Sequence, residues 1–337
     1  MGINLIKQEI RTLSFTKHWK RITITAMFIL LSTLSLMIGS FADVSLSTLL
    51  AGDEMALQVF WISRVPRTIA IILSAAGLSV AGLIMQAISR NKFMSPETSG
   101  AIDAAALGLL FAFIFLPPQS GIMQTLFAFV FSLLSTMLFV TIISKLKIRE
   151  VVYIPLLGLM HGGLIGAVST AIAFRFEAFQ MLNAFNLASF ARLGHFEMIY
   201  IVVIPLAFTV LYATKFSIIG LGADFAKNLG VNYNRVVFLG LITISLISAA
   251  VFVSVGPLPF IGLIIPNMAT SFYGDNLKKS ILDLMIFGAV FVLICDITGR
   301  LVMYPAEMSV SVTVSVVGGI IFIIYLFRGM SSGRKTR

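Results

Sequence analysis

The sequence predicts an all-α integral membrane protein whose chain crosses the bilayer ten times, and three observations carry this. Of its 337 residues, 58% are hydrophobic and 11% charged, with a mean hydropathy of +1.02, more apolar side chain than a soluble fold of this size buries. The apolar residues gather into runs, most of them long enough for a helix to cross about 30 Å of hydrocarbon. The basic residues behind the net charge of +10 sit in short clusters between those runs. That is the pattern of cytoplasmic loops rather than of a nucleic-acid surface.

Residues 1–21 read as a basic cytoplasmic tail carrying Lys7, Arg11, Lys17, Lys20 and Arg21. The first run, Ile22–Ala42, is long enough to span and lacks a small-residue cleavage site, so it is expected to be a retained first helix. Ser45–Ser63 interleaves Leu49, Leu50, Met55, Leu57, Val59, Phe60 and Trp61 with Asp53 and Glu54, which predicts an amphipathic helix on the outer surface. Further spans are expected at Thr68–Ser89, Thr98–Leu116, Gln119–Ser144, Val151–Phe174, Met198–Thr214, Val236–Val255, Phe260–Tyr273, Ser280–Gly299 and Met308–Phe327. Phe176–Phe196, with Asn183 and Asn186 among Phe and Leu, resembles an outer-face helix too short to span. Residues 220–234 are the longest polar stretch on the inner side. A basic tail, 329–337, closes the chain, and 22–328 form one membrane domain.

The weak span is Phe260–Tyr273, whose helix would rise only about 21 Å. The positive-inside rule decides for it. If every run crosses from a cytoplasmic N-terminus, only Arg64, Arg67, Arg175, Arg192 and Arg300 fall outside, leaving 19 of the 24 Lys and Arg residues inside. If that run does not cross, the split falls to 14 inside and 10 outside. Ten crossings with both termini cytoplasmic are therefore expected.

Chemistry-bearing residues are sparse. No Gly-x-x-x-x-Gly-Lys-Ser/Thr occurs, so ATP hydrolysis is not expected in this chain. His18, His161 and His195 lack second ligands at metal spacing, and Cys295 is a lone thiol in an apolar run. His161, among Gly158, Gly162, Gly163 and Gly166, reads as a hydrogen-bonded residue at a close helix contact. A charge inside a span costs on the order of 3 kcal/mol unless paired or wetted. Asp296 and Arg300 stand one turn apart and can pair, and Asp283 lies near an inner helix end. Asp103, about a turn and a half into the third run, is either a polar wall of a pathway or an interface residue. Gln86 and Asn267 are the other polar candidates for such a wall. A secondary transporter coupled through Asp103 to an ion gradient is the competing reading. In Arg64-Val65-Pro66-Arg67, two outer arginines run against the charge bias, which points either to lipid phosphate or to a docked protein bearing carboxylates.

On several motifs in order, the sequence resembles the FecCD-type permeases of ABC importers for iron siderophores, haem and cobalamin. They are RVPR at 64–67, SAAGLSVAGLIMQAISRNKFMSPETSG at 74–100, LGADFAKNLGV at 221–231, GPLPFIGLIIPN at 256–267 and DITGRLVMYPAEMSVSVTVSVVGG at 296–319. The resemblance covers roughly 60–328. It implies a BtuC-like, type II importer permease in a bacterial cytoplasmic membrane. Its implied partners are a second permease chain (a paralogue in preference to an identical copy), two ATPase subunits that hold the ATP and magnesium, and an extracytoplasmic binding protein. By the same resemblance Arg64, Arg67 and Arg300 match positions that meet glutamates of the binding protein. Leu221, Gly222, Asp224, Ala226, Leu229 and Gly230 fall on the segment that presses into the ATPase. Where the family commonly has histidine and arginine after Ile265-Pro266, this chain has Asn267 and Thr270, a form resembling the branch for ferric catecholate siderophores of the petrobactin or enterobactin kind.

Overall fold

A computed structural model of the chain describes residues 2–39, 46–116, 120–146, 152–190, 196–273, 277–304 and 306–333, and every regular element among them is helical. Lys147, Arg149, Arg192, His195 and residues 334–337 lie outside the described residues. In chain order the helices are α1 (Gly2–Met37), α2 (Leu46–Leu50), α3 (Glu54–Val59), α4 (Val65–Ser89), α5 (Ala101–Phe115), α6 (Gly121–Lys145) and α7 (Tyr153–Arg175). They continue with α8 (Phe179–Phe185), α9 (Val203–Gly220), α10 (Ala223–Asn228), α11 (Tyr233–Ser254), α12 (Ile261–Tyr273), α13 (Leu277–Val302) and α14 (Val310–Gly333). Among the described residues seven helical stretches are long and apolar enough to cross a membrane, while Ala101–Phe115, Ile261–Phe272 and Val310–Ile324 are apolar but shorter.

Helix α4 is the axis of the bundle, flanked by α13, α11, α12 and α9. Its most apolar window is 83% buried and that of α11 72%, against 6% for α1 and 22% for α7. The outer helices thus keep apolar faces for lipid or another membrane chain to cover. The small residues of α4 explain its central place, because they let neighbouring backbones approach. A Cβ on Gly82 would fall on the Gly262 carbonyl of α12, far inside van der Waals contact. Its hydroxyls are satisfied internally: Ser74, Ser79 and Ser89 donate to Ala70 O, Ala75 O and Met85 O at 2.6, 2.7 and 2.7 Å, one turn back.

The second span begins earlier than the apolar run suggests. Asp53 caps α3, accepting from Met55 N at 3.0 Å, and α3 continues through a π-turn at Phe60–Arg64 into α4. The cause is Pro66, which donates no hydrogen bond and crowds the carbonyl four residues back. Val65 N instead bonds Phe60 O, five back, and this widened turn makes room for the ring. The motif Arg64–Arg67 therefore sits within a continuous helix rather than at a helix start.

The doubtful run is a 13-residue helix, α12, rising about 20 Å. It starts below one end of the bundle. The irregular segment 255–260 joins the end of α11 to it, with Val255 O accepting from Ser189 N at 3.0 Å. Pro266 inside α12 offers no N–H to the Gly262 carbonyl four residues back, and side chains gather at the next carbonyl along. Leu263 O accepts from Asn267 Nδ2 at 2.7 Å and from Gln86 Nε2 at 3.4 Å. The segment expected as a short outer-face helix contains α8, seven residues long.

Candidate functional site

Two ends of the bundle and the deep loop between them carry the polar chemistry. At one end the three predicted arginines converge. Arg67 of α4 donates Nη2 to Asp296 Oδ1 at 2.8 Å and Nη1 to Glu307 Oε2 at 2.6 Å. Arg300 donates Nε to Asp296 Oδ2 at 2.7 Å, the one-turn pairing expected on α13. It also reaches Ile38 O at 2.7 Å, Ser35 O at 3.0 Å and Ser35 Oγ at 2.8 Å, while Arg64 donates to Ile38 O at 2.8 Å. Two arginines thus serve carbonyls at the C-terminus of α1, where unpaired acceptors and the negative pole of the helix favour cations. That helix end offsets the excess of three guanidinium groups over two carboxylates. All three arginines are buried, at 4, 7 and 2% exposure. What this end shows outward is mostly Trp61, Ile62, Leu301, Val302 and Tyr304.

Deeper in, the α4–α5 connection folds back into the bundle. His161 of α7 hydrogen-bonds Ser135 of α6 at 3.0 Å, as expected of a close helix contact. Gly158 and Gly162 lie against the backbone of Thr98 and Gly100, whereas Gly163 faces open space. Asp103 is the third residue of α5, not a turn and a half in. Its carboxylate lies over Gly162 and Gly166, near the positive helix N-terminus. Gln86 and Asn267, read separately from the sequence, meet at the Leu263 carbonyl, and Asn267 also donates to Lys92 O at 2.7 Å. Sequence reasoning missed Glu97. This residue accepts from Phe260 N at 3.1 Å and Ser95 Oγ at 3.3 Å, pinning the loop to the residue just before α12. Phe260 holds a left-handed backbone, φ +66°.

At the opposite end, α10 is a short surface helix bounded by glycines. Gly222 has φ +111° and Gly230 φ +71°, conformations that L side chains rarely adopt. Val231 N bonds Ala226 O at 2.8 Å and Gly230 N bonds Lys227 O at 3.0 Å, the paired bonds of a Schellman stop. Ala226 is fully buried and anchors the helix, while Leu221, Phe225 and Leu229 are about 60% exposed. Phe225 was not singled out from sequence. Beside α10 opens a cavity of about 350 Å³ whose lining includes Gln86, Arg90, Asn91, Lys92, Leu221 and Thr270, so a predicted pathway residue and a predicted coupling residue share one space.

Residues 27–328 match the FecCD transport family. The chain is 39% identical over 304 residues to the petrobactin import system permease protein YclN of Bacillus subtilis, covering 90% of this chain and 96% of that one. It is 35% identical over 308 residues to the ferric-anguibactin transport system permease protein FatD of Vibrio anguillarum, covering 91% and 98%. Its fold is that of a metal-chelate type ABC transporter solved in an inward-facing conformation, with a TM-score of 0.76 at 21% identity over 92% of this chain and 99% of the other.

Proposed function

The chain belongs to the FecCD transport family, and from that membership we propose that it is the permease subunit of an ATP-driven importer carrying a ferric siderophore of the catecholate kind. The petrobactin and anguibactin permeases it resembles support the cargo class, as does Asn267 after Pro266. The complex would hold two permease chains, this one and preferably a paralogue, two ATPase subunits with their ATP and magnesium, and a binding protein outside. Ten crossings fit seven long and three short apolar helices, and the 19-to-5 division of basic residues favours cytoplasmic termini. The Lys92 end then faces the cytoplasm and the Arg64 end faces out. Gln86, Asn267 and Asp103 are proposed to border the route, the first two as positioning groups of the α12 break.

The observation that carries the energy-coupling part is α10. Leu221, Phe225 and Leu229 expose apolar side chains in the longest polar stretch expected on the cytoplasmic side. Such a knob fits a groove on a soluble subunit. Ala226 and the bounding glycines hold its shape, with Asp224 in its first turn. Replacing Phe225 and Leu229 together by glutamate should weaken retention of the ATPase subunits on the purified permease about tenfold or more, since each buried anchor is worth ~1–2 kcal/mol. Insertion and thermal stability should hold, because both side chains are mostly exposed. Undiminished copurification would remove α10 from the contact.

A further inference from the structure

At the outer end, the ion cluster already supplies what a docking protein would offer. We propose that Glu307 is an internal stand-in for a carboxylate of the docked binding protein, so that docking proceeds by exchange of one carboxylate for another on Arg67. This rests on the reading of that end as the binding-protein face. Arg67 is 9% exposed at its side chain and both its terminal nitrogens are engaged, one by Asp296 and one by Glu307. A carboxylate that joined them without displacing one would bring a third to a guanidinium that already holds two.

The two residents are not equally replaceable. Asp296 lies within α13, is 2% exposed, and is shared by Arg67 and Arg300; its departure would strand two buried cations. Glu307 sits in the connection between α13 and α14 and is 21% exposed, so it can turn into water, where a carboxylate is well solvated. The Nε of Arg67 is buried with no partner among the described residues. The guanidinium thus keeps a donor that Glu307 does not use, and a carboxylate arriving from another direction can take it. The exchange leaves the number of buried charges unchanged, which a simple addition of a carboxylate would not. It also frees the connection carrying Glu307, whose neighbour Ser309 is tied to Ala188 O at 2.6 Å.

The test measures the affinity of the cognate binding protein for the complete importer in lipid nanodiscs. Glu307→Gln keeps the shape and removes the competing charge, and affinity should rise three- to tenfold. Arg67→Gln should weaken docking, and in the double variant the gain from Glu307→Gln should vanish. Should Glu307→Gln assemble poorly, Glu307→Asp, which shortens the reach but keeps the charge, should give a smaller gain. Unchanged or weaker affinity in the Glu307 variants, with Arg67→Gln still weakening docking, would overturn the exchange and leave the docking face intact. If none of these variants alters affinity, the docking face itself is misassigned and the exchange falls with it.

Discussion

Replacing Asp296 by asparagine is expected to be the most damaging single charge change in the chain. Asp296 holds Arg67 and Arg300 at once, and all three side chains are under 10% exposed. The amide keeps two polar atoms in place but leaves two guanidinium groups buried beside Glu307 as the remaining carboxylate of the cluster. Removing one partner of a buried ion pair costs ~3–5 kcal/mol, because the other charge stays desolvated. The loss should appear as a sharply lower unfolding temperature in detergent and a reduced yield of folded protein. The comparison is Asp283→Asn. Asp283 pairs with Arg21 at 2.7 Å, but that arginine is 42% exposed, so water and salt take over much of the interaction and the loss should stay below about 1 kcal/mol. Equal losses at the two sites would mean that the Asp296 cluster is open to solvent.

The second large effect is expected at Gly82. Where α4 crosses α12, the added carbon of any other residue would coincide with the Gly262 carbonyl, and a backbone carbonyl cannot rotate away as a side chain can. Gly82→Leu should force the helices apart and disturb the neighbouring Gln86–Leu263–Asn267 contacts. Overpacking costs ~1–3 kcal/mol in ordinary cores and more where backbone is struck. Gly163→Leu is the control, since its added carbon meets nothing within 4 Å. Size-exclusion profiles and unfolding temperatures should separate the two variants clearly. Similar behaviour would mean that α4 and α12 do not cross this closely.

The contrast between these sites shows what a sequence of this kind discloses. Spans are legible because lipid enforces long apolar runs, and every helix of the bundle answers to one of them. Helix ends are less legible: hydropathy fades at Arg64, yet the backbone runs on through a π-turn because Pro66, not polarity, governs the geometry there. Pairings one turn apart, such as Asp296 with Arg300, can be read from spacing. Arg67 finds its carboxylates 229 and 240 residues away, and no local pattern announces them. Arg64, Arg67 and Arg300 stand out against the expected charge bias, but the bonds of Arg64 and Arg300 to Ile38 O depend on the end of α1 reaching them. Glu97 stayed hidden for the opposite reason. A carboxylate in a short polar connection reads as solvated, and only the return of that loop into the bundle brings it to Phe260 N, 163 residues on. In α10 the glycines and Leu229 follow from the motif, whereas Phe225 becomes conspicuous only once Ala226 is seen to point inward and Phe225 outward.

This chain is proposed to transmit events between a binding protein at the Arg64 end and an ATPase at the α10 end. The most direct measurement is the ATP hydrolysis rate of the purified complex, both permease chains with their ATPase subunits in nanodiscs, with and without the binding protein loaded with a ferric catecholate siderophore. The loaded binding protein should raise the rate several-fold, and this response should be lost when Phe225 and Leu229 are both glutamate. A rate indifferent to binding protein and cargo would contradict it.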